Sequence, residues 1–211
     1  PLRRQRQMCI RDRNKIGMMI DVSHCTDKTF YDILKITNKP LVATHSSPRK
    51  FTPNFERNMS DNMIKDLANN NGLIMLNFGS GFISEQSNKS LGDINSKVEK
   101  YKIQNNLEDS DKKLLKYKDD LIKSVKPFAS INDFIDTIDY VKELVGIDHI
   151  GLGSDFEGLG NTLPYDLKDA STYPNILYNL LEREYSEIEI KKICSDNLFR
   201  VWNANLQNRQ I

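Results

Sequence analysis

One pattern recurs three times in the 211 residues: a short apolar run that stops at a side chain able to hold a metal or carry a proton. Met18-Met19-Ile20-Asp21-Val22-Ser23 runs into His24, Leu41-Val42-Ala43-Thr44 into His45, and Ile150-Gly151-Leu152-Gly153-Ser154 into Asp155. Unbroken apolar runs of this length, bounded by turn and helix-start residues, predict strands buried on both faces of a parallel sheet. Gly72-Leu73-Ile74-Met75-Leu76-Asn77-Phe78 adds a fourth such run, without a terminal histidine. Where strands alternate with helices in a barrel, chemistry gathers at the C-terminal ends of the strands, because those ends open onto one face. His24, His45 and Asp155 are therefore expected on one rim. His149 precedes its strand and is expected on the opposite rim, in a structural role.

Helical patterns fill the intervals. Phe30, Ile33 and Leu34 share a helical face that Pro40 closes, and Ser60 caps a helix carrying Met63, Ile64 and Leu67. Ser130 caps a longer one whose face is Ile131, Phe134, Ile135, Ile138, Val141 and Val145, ended by Gly146. Ile176, Leu177, Leu180 and Leu181 mark another, and Ser186 with Glu189 forms a capping box that opens the last. That last helix is expected to pack Ile193, Leu198, Val201 and Trp202 against the sheet. The alternation predicts an α/β fold of the (β/α)8 type. Four strands fall short of the eight strands and about 250 residues of a closed barrel, so the expectation is its C-terminal half.

Residues 14–211 are expected to form one unit, interrupted by a polar insertion at about 84–126 with one solvated helix over 109–123. Residues 1–13 hold five of the ten arginines, while the remainder prefers lysine. They are expected to be a leader foreign to the native chain, whose true start would then be missing.

Composition excludes several functions. A net charge of +1 argues against nucleic acid or an anionic membrane as partner, and no apolar stretch approaches the roughly 20 residues of a membrane span. Cys9, Cys25 and Cys194 lack a C-x-x-C spacing, which predicts a reducing, cytoplasmic setting. The string G-L-G-S-D-F is not a dinucleotide fingerprint, because no G-x-G-x-x-G opens a helix. Ser46-Ser47 lacks the G-x-S-x-G elbow of a serine hydrolase.

What remains is metal chemistry. Two histidines at equivalent ends of successive strands can approach one ion at the roughly 2.0–2.1 Å expected for zinc. Cys25 should point away from them. Asp155 is a candidate metal ligand or general base, with a cap for the following turn as the plain alternative. Arg57, in the loop after the second histidine, is a candidate carboxylate clamp, and a surface arginine is its plain alternative.

D-V-S-H at 21–24, T-H-S-S at 44–47, R-N at 57–58, L-N-F at 76–78, G-I-D-H-I-G-L-G-S-D-F-E-G at 146–158 and L-K-D-A-S-T-Y-P-N at 167–175 together resemble the membrane (renal) dipeptidase family. The resemblance runs from about residue 14 to residue 203. It implies a (β/α)8 barrel with two zinc ions, bridged by a carboxylate and a water or hydroxide, that hydrolyses dipeptides. On that resemblance His24 and His45 ligate zinc, Arg57 binds the substrate carboxylate and Asp155 carries the proton. The family's H-x-D motif, bridging glutamate and carbonyl-polarising histidine would lie upstream, so the region is expected to be half an enzyme. The implied partner is a dipeptide, with a homodimer left open. A non-catalytic half-barrel and another barrel metallohydrolase, such as an amidohydrolase, are the alternative functions.

Overall fold

The computed structural model describes residues 2–207. Its centre is a parallel sheet of β1 (Val42–Ser46), β2 (Leu73–Leu76) and β3 (Ile150–Leu152), in the order β1-β2-β3. Ile74 to Leu76 pair one for one with Ile150 to Leu152, whereas β1 starts in register with Val42 on Leu73 and Ala43 on Ile74 and then slips by one residue, so that Ser46 faces Leu76. β1 is buried except at Thr44 and His45, and β2 except at Met75, which are half-buried.

The expected first strand is corrected. Residues 18–24 contribute a single bridge, Asp21 to Val42, closed by Val22 N–H donating to Val42 O (2.8 Å) and Val42 N–H donating to Ile20 O (3.1 Å). Ile20 and Val22 are buried and Met19 packs on the other side against Val42, Leu73 and Val201, but Met18 is 50% exposed, so the covered part of the run is short. Among the described residues no strand pairs with its other edge, and the chain turns away at Ser23-His24. The sheet therefore has three strands and one bridge.

Ten α-helices surround the sheet among the described residues. Part of the arginine-rich stretch lies in α1 (Leu2–Ile16), which docks through buried Ile10 and through Asn14 Nδ2 donating to Thr37 Oγ1 (3.1 Å). α2 (Asp27–Leu34) and α3 (Asp61–Asn69) start at Thr26 and Ser60, whose hydroxyls accept from backbone N–H groups. α4 (Ser80–Ile83) leads into a second correction. The polar stretch holds two helices rather than one, α5 (Glu85–Asn105) and α6 (Lys112–Val125). They pack on each other through stacked Tyr101 and Tyr117, ring centroids 4.1 Å apart, and bury Ile94 and Leu114. Asn106, left-handed at φ 50°, ends α5, as short polar side chains can.

α7 (Ile131–Val145) forms as its capping box and apolar face dictate, and Gly146 at φ 87° stops it. α8 (Tyr173–Glu182) and α9 (Glu187–Lys191) follow, and a wide turn, Lys192–Asp196, leads into α10 (Asn197–Leu206). Ile193 and Val201 are buried as expected, but Trp202 is 46% exposed and stacks on Phe199 outside the core. The aromatic centre that matters for the rim is Phe78. It is fully buried just past the β2 end, 4.4 Å centroid to centroid from Phe134 of α7, and it also meets Phe156 and Tyr173. It thus ties the segment after β3 to the sheet.

Candidate metal and proton-transfer site

Of the three expected rim residues, His24 and His45 meet directly, and Asp155 is held beside the end of β2 by Asn77. His45 is the fourth residue of β1, and His24 stands on the turn after the Asp21 bridge, at φ 64°. A non-glycine residue in this left-handed region is uncommon and costs conformational energy. That turn brings His24 Nε2 to 2.9 Å from His45 Nε2, with the rings tilted by 56°. Nitrogens ligating one tetrahedral zinc at about 2.0–2.1 Å stand ~3.3 Å apart, so a shift of a few tenths of an ångström would seat an ion between these two. Burial, followed by the charges of Arg57 and His45, lowers the pKa of His24, which favours the neutral imidazole a metal needs.

A polar network fixes the pair. Asp21 Oδ1 accepts from the N–H groups of Ser23 (2.9 Å) and Thr44 (3.1 Å), and its Oδ2 accepts from Thr44 Oγ1 (2.6 Å). Thr44 Oγ1 also lies 2.8 Å from His45 Nδ1. His45 N–H donates to Ser23 Oγ (3.1 Å), which binds the two segments again.

The two imidazoles fit zinc in type and spacing as two of its ligands. A catalytic zinc takes three protein ligands, and among the described residues no group of three or more His, Cys, Asp or Glu could hold a metal ion. Cys25 is half-buried, packs against the core and has its thiol pKa pushed up by burial, so it is not a ready thiolate.

Asp155 follows β3 in a left-handed conformation at φ 56°. Its Oδ2 accepts from Asn77 Nδ2 (3.0 Å). Asn77 is fully buried, and its Oδ1 accepts from Gly79 N–H (2.7 Å), which leaves the amide nitrogen to face the carboxylate. A Cβ on Gly158 would come within 2.9 Å of Asp155 Cγ and closer still to Oδ1, so only glycine leaves the carboxylate this position.

Arg57 donates from one terminal nitrogen to Ser46 Oγ (3.0 Å) and from the other to His45 O (2.7 Å), and its guanidinium lies 5.5 Å from the Phe82 ring centroid. Its Nε is buried without a partner, and burial lowers its pKa, against the raising charges of Asp155 and Asp21. Arg57 is thus not a plain surface arginine. Arg49, eight residues earlier, shows the contrast: its fork is closed on Asp27 at 2.9 and 2.6 Å. His149 Nδ1 meets Gly72 O (2.9 Å) at the foot of β2, away from the rim, in the structural place expected.

Asp21, Thr44, Asn77 and Gly158 were not singled out by sequence reasoning, yet Thr44, Asn77 and Gly158 lie against a candidate residue and Asp21 reaches His45 through Thr44. The signal available for the first three was a polar residue set in or just after an apolar run.

Residues 3–210 match the family model described as membrane dipeptidase, peptidase family M19. The chain is 30% identical over 195 residues to an uncharacterized dipeptidase of Schizosaccharomyces pombe, covering 92% of this chain and 37% of that protein. It is also 30% identical over 192 residues to the dipeptidase tcpJ of Claviceps purpurea, covering 91% and 36%. The chain therefore spans little more than a third of these relatives. Among solved structures it resembles the probable dipeptidase PvdM of Pseudomonas aeruginosa, with TM-score 0.76, 24% identity and coverage of 96% of this chain and 54% of that one. It also resembles a metallo peptidase of Rhodobacter sphaeroides liganded with a phosphinate mimic of the dipeptide L-Ala-D-Ala, with TM-score 0.71, 22% identity and coverage of 94% and 46%.

Proposed function

Since the chain belongs to the membrane dipeptidase family, peptidase M19, we propose that it forms the C-terminal half of a (β/α)8 barrel that hydrolyses dipeptides with zinc. The observation that carries this reading is the meeting of His24 and His45 at 2.9 Å, on a network that reaches both other candidates. Arg57 reaches it through Ser46 Oγ, and Asp155 through Asn77, whose N–H donates to Ser46 O.

His24 and His45 would hold one zinc of a pair. Zinc, when bound, supplies Lewis-acid polarisation of the peptide carbonyl and activation of the attacking water. Asp155 accepts the water's proton and delivers it to the leaving amine, with Asn77 holding the carboxylate in place. Arg57 keeps donors free for the carboxylate of a dipeptide, which favours short substrates over proteins. The products are two amino acids. The free cysteines Cys9, Cys25 and Cys194 support a cytoplasmic setting, and no described helix is long and apolar enough to cross a membrane.

A second reading, a half-barrel that needs further strands for activity, is favoured by the two-histidine donor set. Zinc content and dipeptide hydrolysis separate them, measured on the chain and on a His24→Ala, His45→Ala double variant. About two zincs with hydrolysis, both lost in the variant, supports a complete site. Weak zinc binding lost in the variant, without hydrolysis, supports the half-site. Zinc binding indifferent to the variant sinks the assignment of the ligands.

A further inference from the structure

For a neutral His45 ring the hydrogen bonds around it leave only one arrangement of its proton. An ionised Asp21 only accepts, so the 2.6 Å contact to Oδ2 consumes the single hydroxyl proton of Thr44. Thr44 Oγ1 can then offer His45 Nδ1, 2.8 Å away, nothing but a lone pair. His45 must carry its proton on Nδ1, which leaves Nε2 bare and facing His24.

We propose that Asp21 and Thr44 are positioning residues that set the tautomer of His45, so that Nε2 is presented as a ready metal ligand. Histidine free in water favours the opposite tautomer, so the selection is made by the fold. Asp21 is itself anchored for this: the N–H groups of Ser23 and Thr44 both end on Oδ1, which turns Oδ2 toward the Thr44 hydroxyl. In the metal-free pair, the 2.9 Å contact is completed by His24 Nε2–H donating to His45 Nε2. A carboxylate that orients a ligating histidine is a recurrent arrangement, and here a threonine hydroxyl extends its reach. The tautomer is independent of any metal; its bearing on zinc rests on the ligand assignment proposed above.

The test reads the tautomer first, from the imidazole 15N shifts of the metal-free chain at a pH where His45 is neutral. The second readout is zinc affinity, by competition with a chromophoric chelator. The parent should show the Nδ1–H form for His45. Thr44→Val removes the accepting oxygen and should shift the ring toward the Nε2–H form. It should also weaken zinc roughly 10-fold or more, the usual effect of losing such a partner. Asp21→Asn lets an amide N–H donate to Thr44, which frees the hydroxyl to donate to Nδ1 and should give the same two changes. Thr44→Ser keeps the hydroxyl and should preserve both parent results. An Nε2–H tautomer in the parent overturns the proposal without any variant. So does a Thr44→Val protein that keeps both the Nδ1–H form and the parent affinity. If the tautomer responds but zinc binding is indifferent to His24→Ala and His45→Ala, the relay stands and the ligand assignment fails.

Discussion

Gly153→Ala and Gly92→Ala make the same chemical change, one methyl group, and the structure assigns them opposite signs. A Cβ on Gly153 would lie 2.8 Å from Met75 O and closer still to Thr44 O. Both obstacles are backbone atoms of the strand segments beside it, so neither can swing aside as a flexible side chain would. Gly153 N–H also donates to Leu76 O (2.9 Å), which holds the chain in the crowded place. Overpacking a well-filled interior costs 1–3 kcal/mol, and with two carbonyls in the way the upper end, about 3 kcal/mol, applies. Gly92 lies inside α5, and a Cβ there would meet nothing within 4 Å. Alanine at such a position gains helix propensity and is expected to stabilise by up to about 1 kcal/mol. For a chain of this size each kcal/mol moves Tm by roughly 2–4 °C, so Gly153→Ala should melt roughly 6–12 °C lower and Gly92→Ala up to about 4 °C higher. Thermal unfolding followed by circular dichroism measures both. A Gly153→Ala protein melting within about 2 °C of the parent, or two shifts of the same sign, would refute the close approach of the strands beneath Asp155.

Asn77→Ala should lower unfolding free energy in urea by about 1–3 kcal/mol, because it leaves the buried Gly79 N–H without its acceptor. A change below about 0.5 kcal/mol would show that the Asn77 amide is not engaged. Glu189 accepts from Lys142 Nζ (2.7 Å), Ser186 N–H and Ser186 Oγ, and the Lys142 bond foremost lowers its pKa from 4.5 to about 2. A depressed carboxylate stabilises the fold above its unfolded pKa, so this contribution is present above pH 4.5 and fades as pH falls toward 2. Glu189→Gln should flatten that limb of the stability profile, and an unchanged limb would remove the ion pair from the account.

The elements legible in the sequence are those whose local chemistry and tertiary setting agree. α7 is one: Ser130 and Asp133 close the capping box, and Phe134, Ile135, Ile138 and Val141 reach the core that their spacing announces. Residues 18–24 failed as a strand because apolarity alone does not report how much of a run finds a pairing partner, and here only the Asp21 bridge forms. Met18 and Ile20 look alike in the sequence, but one is half-exposed and the other buried. α5 was missed because its stripe of Leu91, Ile94, Val98 and Tyr101 is thin and diluted by polar residues, and its partners, α4 and the Tyr117 ring of α6, come from outside its own sequence. Trp202 was placed inward because the helix face was read as wider than the part the sheet covers.

At the rim, His45 and Asp155 were legible because strand ends in a parallel sheet face one way, and His24 comes beside His45 by the turn after the Asp21 bridge, but their supports were not legible, since support depends on contacts between segments. Asp21 and Thr44 lie 23 residues apart and meet only because the bridge at Val42 aligns them. Asn77 and Asp155 lie 78 apart and meet only because β2 and β3 pair in step. A polar group inside an apolar layer costs free energy unless it is hydrogen-bonded. Asn77, fully buried just past β2, therefore had to find partners near the sheet, while exposed Asp21 and half-buried Thr44 are brought together by the bridge to β1. Those partners are the candidate side chains themselves: Asn77 reaches Asp155 directly, and Asp21 reaches His45 through Thr44. The interruptions of the apolar runs and the alignment of the site are thus one feature of the sequence, seen first as exceptions to a pattern and then as the bonds that hold the rim.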